Sequence, residues 1–171
     1  MEAEIPEKCA VFDIDNTIFD SRRRFHVAIS QFNVSSPREL PLETRRMFWE
    51  RFLDPQLFSL DVPISRTIEM MLAAKRRGLR LVLITGRYER LRRETELQLL
   101  QAGVPYDDLI MRPDGNFQKD AELKPSLLRS LDCEIVEYHD DDLDTLIEVR
   151  KISPKALLFL HRPDGSFEII S

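Results

Sequence analysis

The order of apolar and amphipathic stretches predicts an α/β fold, a parallel sheet packed between two layers of helices. Three observations carry this. Short runs of strand formers alternate with helical stretches along most of the 171 residues. Strands that return through a helix run parallel. The runs also end in polar, chemistry-bearing residues (Asp13, Thr85, and His139-Asp140-Asp141), and in such a sheet functional groups gather at the C-terminal strand ends.

Cys9-Ala10-Val11-Phe12 reads as a buried strand closed by Asp13. Residues 21–60 differ in character. Phe25, Val27, Ile29 and Phe32 mix with polar residues, and Met47, Phe48, Trp49, Phe52, Leu53 and Phe58 crowd an Arg-rich stretch. Pro37 suits a helix start after Ser35 or Ser36, so this segment is expected to be a helical insertion of two or three short helices. The predicted units are therefore a core of residues 1–20 and 61–171 and an insertion of residues 21–60. Ser65 to Arg77 reads as a helix with Ile68, Met71 and Leu72 on one face, a serine cap and Gly78 as stop. Leu79 to Ile84 is the second strand. Tyr88 to Ala102 is a helix, with Leu91, Leu97 and Leu100 as its apolar positions and Gly103 ending it. Leu109 to Met111, Glu134 to Tyr138 and Ala156 to Leu160 read as strands; Pro125 to Leu131 and Asp144 to Lys151 read as helices. The tetrapeptide Arg112-Pro113-Asp114-Gly115 recurs as Arg162-Pro163-Asp164-Gly165, which is ordinary turn chemistry.

A chain of this length buries roughly 70% of the surface it would expose unfolded, enough for one well-packed core. Its 43% apolar and 32% charged content argues against disorder. No apolar run approaches the roughly 20 residues of a membrane span. The acidic start, Met1-Glu2-Ala3-Glu4-Ile5-Pro6, does not read as a signal peptide. Cys9 and Cys133 are expected as buried reduced thiols, and the location as cytoplasmic. The net charge of −5 is uneven: residues 21–93 carry 16 Lys and Arg against 7 Asp and Glu, while residues 94–171 carry 8 against 17. A basic middle is either a solvated helical surface or a face that attracts a polyanion.

The strand-end residues suit phosphoryl transfer. Asp13 and Asp15 lie two apart at a strand end. One carboxylate can displace a leaving group from phosphorus; the other, held protonated by like-charge repulsion, can serve as general acid and then base. Asp140 and Asp141 add charge that a Mg2+ ion would balance, since it prefers oxygen ligands and bridges to phosphate. Thr85 offers a hydroxyl, Gly86 close backbone approach, and Asn16 and Thr17 backbone N–H groups. Lys124, ahead of Pro125, is expected at a helix N-terminus facing a phosphate oxygen.

Together these residues resemble the haloacid dehalogenase (HAD) superfamily of phosphohydrolases. Phe12-Asp13-Ile14-Asp15-Asn16-Thr17 resembles its first motif, Leu83-Ile84-Thr85-Gly86 the second, Lys124-Pro125 the third, and Tyr138-His139-Asp140-Asp141 the fourth. The resemblance implies a Rossmann-like three-layer α/β/α sandwich with a parallel central sheet and a small helical cap at residues 21–60. It implies Asp13 as nucleophile, Asp15 as general acid/base, Thr85 and Lys124 on the phosphate, and Mg2+ held by Asp13, Asp140, Asp141 and the Asp15 carbonyl. An acid at position 15 points to phosphatases and phosphomutases rather than dehalogenases. Two registers stay open: Lys119 in place of Lys124, and a shift within Asp140-Asp141-Asp142.

Thr85-Gly86-Arg87, Gly103-Val104-Pro105-Tyr106-Asp107, Met111-Arg112-Pro113 and Lys119-Asp120 further resemble the phosphatase domain of polynucleotide kinase-phosphatases. That likeness implies a nucleic-acid 3'-phosphate end as substrate, with the basic triplet Arg22-Arg23-Arg24 and Arg87 as candidate contacts. A cap over the site favours instead a small phosphorylated molecule. A regulatory module that keeps the fold without the activity is the reading from another class. The discriminating feature is the face of residues 21–60: an Arg-lined groove for nucleic acid, an apolar lid for metabolites.

Overall fold

The computed structural model describes residues 5–171. Residues 1–4 of the acidic start lie outside the described residues. Strands β1 (Lys8–Phe12), β4 (Arg80–Tyr88), β5 (Asp108–Arg112), β6 (Glu134–Asp140), β7 (Leu157–His161) and β8 (Phe167–Ile170) form one sheet in the order β5-β4-β1-β6-β7-β8. All neighbours are parallel except β7 and β8. The sheet is therefore mostly parallel rather than wholly so, with an antiparallel edge strand after the Arg162-Pro163-Asp164-Gly165 turn. Two further short strands, β2 (Phe19–Asp20) and β3 (Val62–Pro63), pair antiparallel on either side of residues 21–60.

Alternation along β1 sets the layers. Ala10 and Phe12 face a cluster with Leu81 and Leu83 that packs on α3 (Ser65–Arg76) through Met71 and Ala74 and on α4 (Arg92–Gln101) through Leu99. Cys9 and Val11 face the opposite side, with Val82 and Ile84, against α5 (Asp120–Leu128) through Leu128 and α6 (Leu143–Ile152) through Leu146 and Val149. The sheet is thus covered on both faces, as a parallel sheet requires.

Residues 21–60 fold as α1 (Arg22–Ile29), α2 (Leu42–Phe52) and short 3-10 turns at Ser30–Phe32, Pro37–Glu39 and Pro55–Leu60. They hold an apolar cluster of their own, Ala28, Ile29, Leu40, Phe48 and Phe52. Trp49 packs edge-on to Phe48 and Phe52.

Four expectations are corrected. Helix α5 begins at Asp120, not Pro125, so Pro125 lies inside it; Asp120 and Glu122 in the first turn suit the helix dipole and carry the start further upstream. In α4, Leu97 and Leu100 are exposed and Leu99 is buried, because the regular helix starts at Arg92 and its inward face is rotated from the expected one; Leu91, in the 3-10 turn before it, is buried as expected. Ser65 is the first helical residue of α3 and makes no side-chain cap. Cys9 and Cys133 are joined as a disulfide. Cys133 directly precedes β6, whose Ile135 lies opposite Cys9, and this register brings the two Cα atoms to 6.0 Å, within disulfide reach. No helix among the described residues is long and apolar enough to cross a membrane.

Candidate active site

The C-terminal ends of β1, β4 and β6 meet at one edge of the sheet. The β1–β6 ladder continues one step beyond β1, with the Asp13 N–H donating to the His139 carbonyl at 2.9 Å. This fixes Asp13 beside Asp140. Asp13, Asp140 and Asp141 each present a carboxylate oxygen within 4.8 Å of the others. Lys124 reaches in from the second turn of α5 and donates to Asp13 Oδ1 at 2.9 Å and Asp140 Oδ2 at 2.8 Å. Thr17 Oγ1 donates to Asp13 Oδ2 at 3.2 Å, and Tyr138 Oη donates to Asp140 Oδ2 at 3.2 Å.

The electrostatics follow from burial and crowding. Burial and the nearby Asp140 push Asp13 up to about 8, against the opposing pull of Lys124. Burial would lower the Lys124 ammonium, but Asp13 and Asp140 outweigh it and raise its pKa. An all-oxygen carboxylate cluster of this size suits a hard divalent cation. Asp13, Asp140 and Asp141 fit such an ion.

Asp15 is placed differently from its neighbour. Arg87 donates to it twice, Nε to Oδ2 at 3.0 Å and Nη2 to Oδ1 at 2.8 Å, and Arg24 pairs with Oδ1. Burial alone would raise Asp15; the two guanidinium groups outweigh it and hold the carboxyl well below the usual carboxylate range. The expected protonated acid is therefore ionised here, because arginines rather than a second carboxylate dominate its surroundings. Asp61 backs both arginines: it accepts from Arg24 Nε and Nη2, each at 2.9 Å, and lies 3.6 Å from Arg87 Nη2. The Phe58 ring lies 4.9 Å from the Arg24 guanidinium and 4.2 Å from that of Arg87.

Other expected residues divide. Thr85 is buried, and its Oγ1 accepts from the Arg87 N–H at 3.1 Å. The Gly86 position is closely approached, but by a protein group: a Cβ there would come 2.7 Å from Asp120 Oδ1. The N–H groups of Asn16 and Thr17 are spent inside their own turn, on the carbonyls of Phe19 (2.7 Å) and Ile14 (3.2 Å), rather than offered outward. Asn16 itself takes a left-handed conformation, φ 61°, which asparagine tolerates. Arg22 pairs with Asp20 on the surface and Arg23 is exposed, so of the basic triplet only Arg24 enters the site. Lys119 is exposed at the α5 N-cap position. Asp142 caps α6, accepting from the Thr145 N–H at 3.3 Å and Oγ1 at 2.6 Å; Asp140 and Asp141 are thereby left as the pair beside Asp13.

The reading from sequence missed Asp61, gave Arg24 as a candidate nucleic-acid contact rather than a partner of Asp15, and quoted Asp120 without a role in the site. For Arg24 a signal existed: it shares a helical face with Ala28, four residues on, and that face is buried. Asp61 carries no local signal, since its partners are 37 residues or more away along the chain except for Arg87.

A family model described as "HAD superfamily, subfamily IIIB (Acid phosphatase)" matches residues 3–148. No curated protein matches the chain. Among solved structures, a chain of the Pnkp1/Rnl/Hen1 RNA repair complex is similar at TM-score 0.65 and 17% identity, over 93% of this chain and 43% of that one. A hydrolase from Pseudomonas syringae is similar at TM-score 0.60 and 14% identity, over 89% and 82%. The class C acid phosphatase from Bacillus anthracis with tungstate bound is similar at TM-score 0.55 and 17% identity, over 84% and 55%. At these identities the likeness is one of fold. This chain spans less than half the length of the RNA repair chain it resembles.

Proposed function

Because this chain belongs to the HAD superfamily, subfamily IIIB, we propose that it is a Mg2+-dependent phosphatase that hydrolyses phosphate monoesters through an aspartyl phosphate on Asp13. The supporting observation is the convergence of Asp13, Asp140 and Asp141 with the Lys124 ammonium at the strand ends. Asp13, Asp140 and Asp141 would hold Mg2+, with the Asp15 carbonyl as a further oxygen, since the Asp15 carboxylate is taken by arginines. When bound, the ion neutralises charge on the transferring group.

Asp13 Oδ attacks phosphorus, the P–O bond to the leaving oxygen breaks, and the phosphoryl group stays on the carboxylate. Lys124 and Thr85 serve the equatorial oxygens. Water then attacks the phospho-aspartate and breaks its P–O bond to Asp13; the water's proton passes to Asp15 as Arg24 and Arg87 loosen their hold, and from there to the departed oxygen or solvent, giving inorganic phosphate, the alcohol and free Asp13. Residues 21–60 act as the cap.

The substrate is a phosphorylated small molecule or a nucleic-acid 3'-phosphate end. The second class is favoured by an exposed cation–aromatic pair: Arg46 on α2 stacks 4.6 Å from the Phe117 ring, joining the helical insertion to the loop that leads into α5. The test is phosphate release from an aryl phosphate, nucleotides, sugar phosphates and a 3'-phosphorylated oligonucleotide, with Mg2+ or EDTA. Release that requires both Mg2+ and Asp13 supports the reading, and the preferred substrate selects the class. No release from folded, metal-binding protein would favour the regulatory module.

A further inference from the structure

The repeated tetrapeptide has two fates. Arg162, in the second copy, makes one surface pair with Glu168 at 3.4 Å. Arg112, in the first, is buried and serves four acceptors. Its Nε donates to the Gly86 carbonyl at 2.8 Å, Nη1 to the Gln118 carbonyl at 2.6 Å and to Asn116 Oδ1 at 3.1 Å, and Nη2 to Asp120 Oδ1 at 2.5 Å. Asp120 lies one helical turn before Lys124, with Oδ2 3.4 Å from Nζ, and its carboxylate packs on the space left by Gly86.

The Lys124 ammonium has three protons. Two are directed at Asp13 and Asp140, and the third side faces Asp120. A bare Asp120 carboxylate, four residues away on the same helix, would compete for that ammonium. Arg112 occupies it with a charge-assisted bond and also ties down the strand end and the loop on either side.

We propose that Arg112 is a positioning residue: by holding the Asp120 carboxylate against Gly86, it keeps the Lys124 ammonium on Asp13 and Asp140. This rests on the reading of Lys124 as the phosphate lysine. Arg112 bonds none of these reacting groups and acts through Asp120.

The test uses Arg112→Gln, Asp120→Asn, the double variant and Arg112→Lys, with two readouts. One is the crystallographic position of Lys124 Nζ in the metal-free protein. The other is the affinity for inorganic phosphate in the presence of Mg2+. In Arg112→Gln, Nζ is expected to move from Asp13 and Asp140 towards Asp120, with phosphate binding weakened roughly tenfold or more, the scale of one charge-assisted hydrogen bond. The double variant should lose no more than the worse single, because the pair acts as one unit. Arg112→Lys, which keeps a charge for Asp120, should hold Nζ in place and retain most of the affinity. If Arg112→Gln leaves Nζ and affinity as in wild type, or the two single losses multiply, the proposal is overturned. Should Arg112→Gln not fold, an Arg112→Lys protein that loses Nζ position and affinity overturns it equally. The phosphatase reading is scored separately, by turnover of wild type and Asp13→Asn; the Nζ position is readable whatever that result.

Discussion

Arg87 grips Asp15 through two hydrogen bonds, one to each carboxylate oxygen, at 3.0 and 2.8 Å, from a fully buried side chain. This bidentate pair, joined by Arg24, keeps Asp15 ionised. An ionised carboxyl has no proton to donate, and one held this low is a weak base until its arginines loosen their grip. Formation of the phospho-enzyme should therefore depend on the leaving group. Aryl phosphates, whose oxygen departs unprotonated, should react faster than alkyl esters of equal size. Asp15→Asn should then give a burst of aryl alcohol followed by turnover slowed about 10²–10⁴-fold, the scale of a lost general base. Pre-steady-state kinetics on a series of leaving groups checks this.

Metal binding should release a proton. With Asp13 raised to about 8, its carboxyl is mostly protonated at pH 7, whereas a ligand to Mg2+ must be deprotonated. Burial and nearby carboxylates raise Asp140 and Asp141 as well, so calorimetry in buffers of differing ionisation enthalpy should show net proton release on Mg2+ binding at pH 7. The apparent Kd should rise as pH falls below 8.

Lys124 is the counter-charge of the metal-free cluster. Lys124→Met leaves Asp13 and Asp140 buried without it. At pH 8 the metal-free variant should lose about 3 kcal/mol of stability, as for other broken buried pairs. The loss should shrink at pH 6, where these carboxyls take up protons, and Mg2+ should recover much of it. Thermal unfolding with and without metal measures both.

A chain of buried groups outside the acid cluster sets an acid limit on stability. His139 stacks between Phe12 and Phe159 and meets His161 Nε2 through Nδ1 at 2.8 Å, while its Nε2 faces Glu137 at 3.4 Å. Burial, with the neighbouring His139, lowers His161 to about 3. A histidine lowered in the folded state binds a proton more readily when unfolded, so stability rises with pH across the window from about 3 to 6.5 and is lost on acidification through it. Between pH 6.5 and 5 this one histidine removes about 2 kcal/mol, at 1.36 kcal/mol per unit. The raised Asp13 works in the opposite direction over this window, so the slope is read as the difference between wild type and His161→Phe in denaturant titrations.

The strand ends were legible in the sequence because each buried run stops at a polar group with no packing reason to be there: Phe12 then Asp13, Ile84 then Thr85, Tyr138-His139 then Asp140. The sheet and its helices followed from the same periodicity. The start of α5 was hidden because Pro125 imitates a first helical residue, and the four-residue β8 and two-residue β2 and β3 are too short to show a period. The Asp15–Arg24–Arg87–Asp61 network was hidden for another reason. It is built from charged residues that read as surface, and their burial is fixed only when α1, the end of β4 and the start of β3 are brought together.

In the proposed reaction Asp13 carries the phosphoryl group. The most direct measurement is acid quench of the protein turning over a labelled aryl phosphate with Mg2+, followed by peptide mapping. One phosphoryl group per chain is expected on the peptide containing Asp13, accumulating in Asp15→Asn and absent from Asp13→Asn. Turnover with no protein-bound label in either wild type or Asp15→Asn, or label that persists in Asp13→Asn, would contradict it.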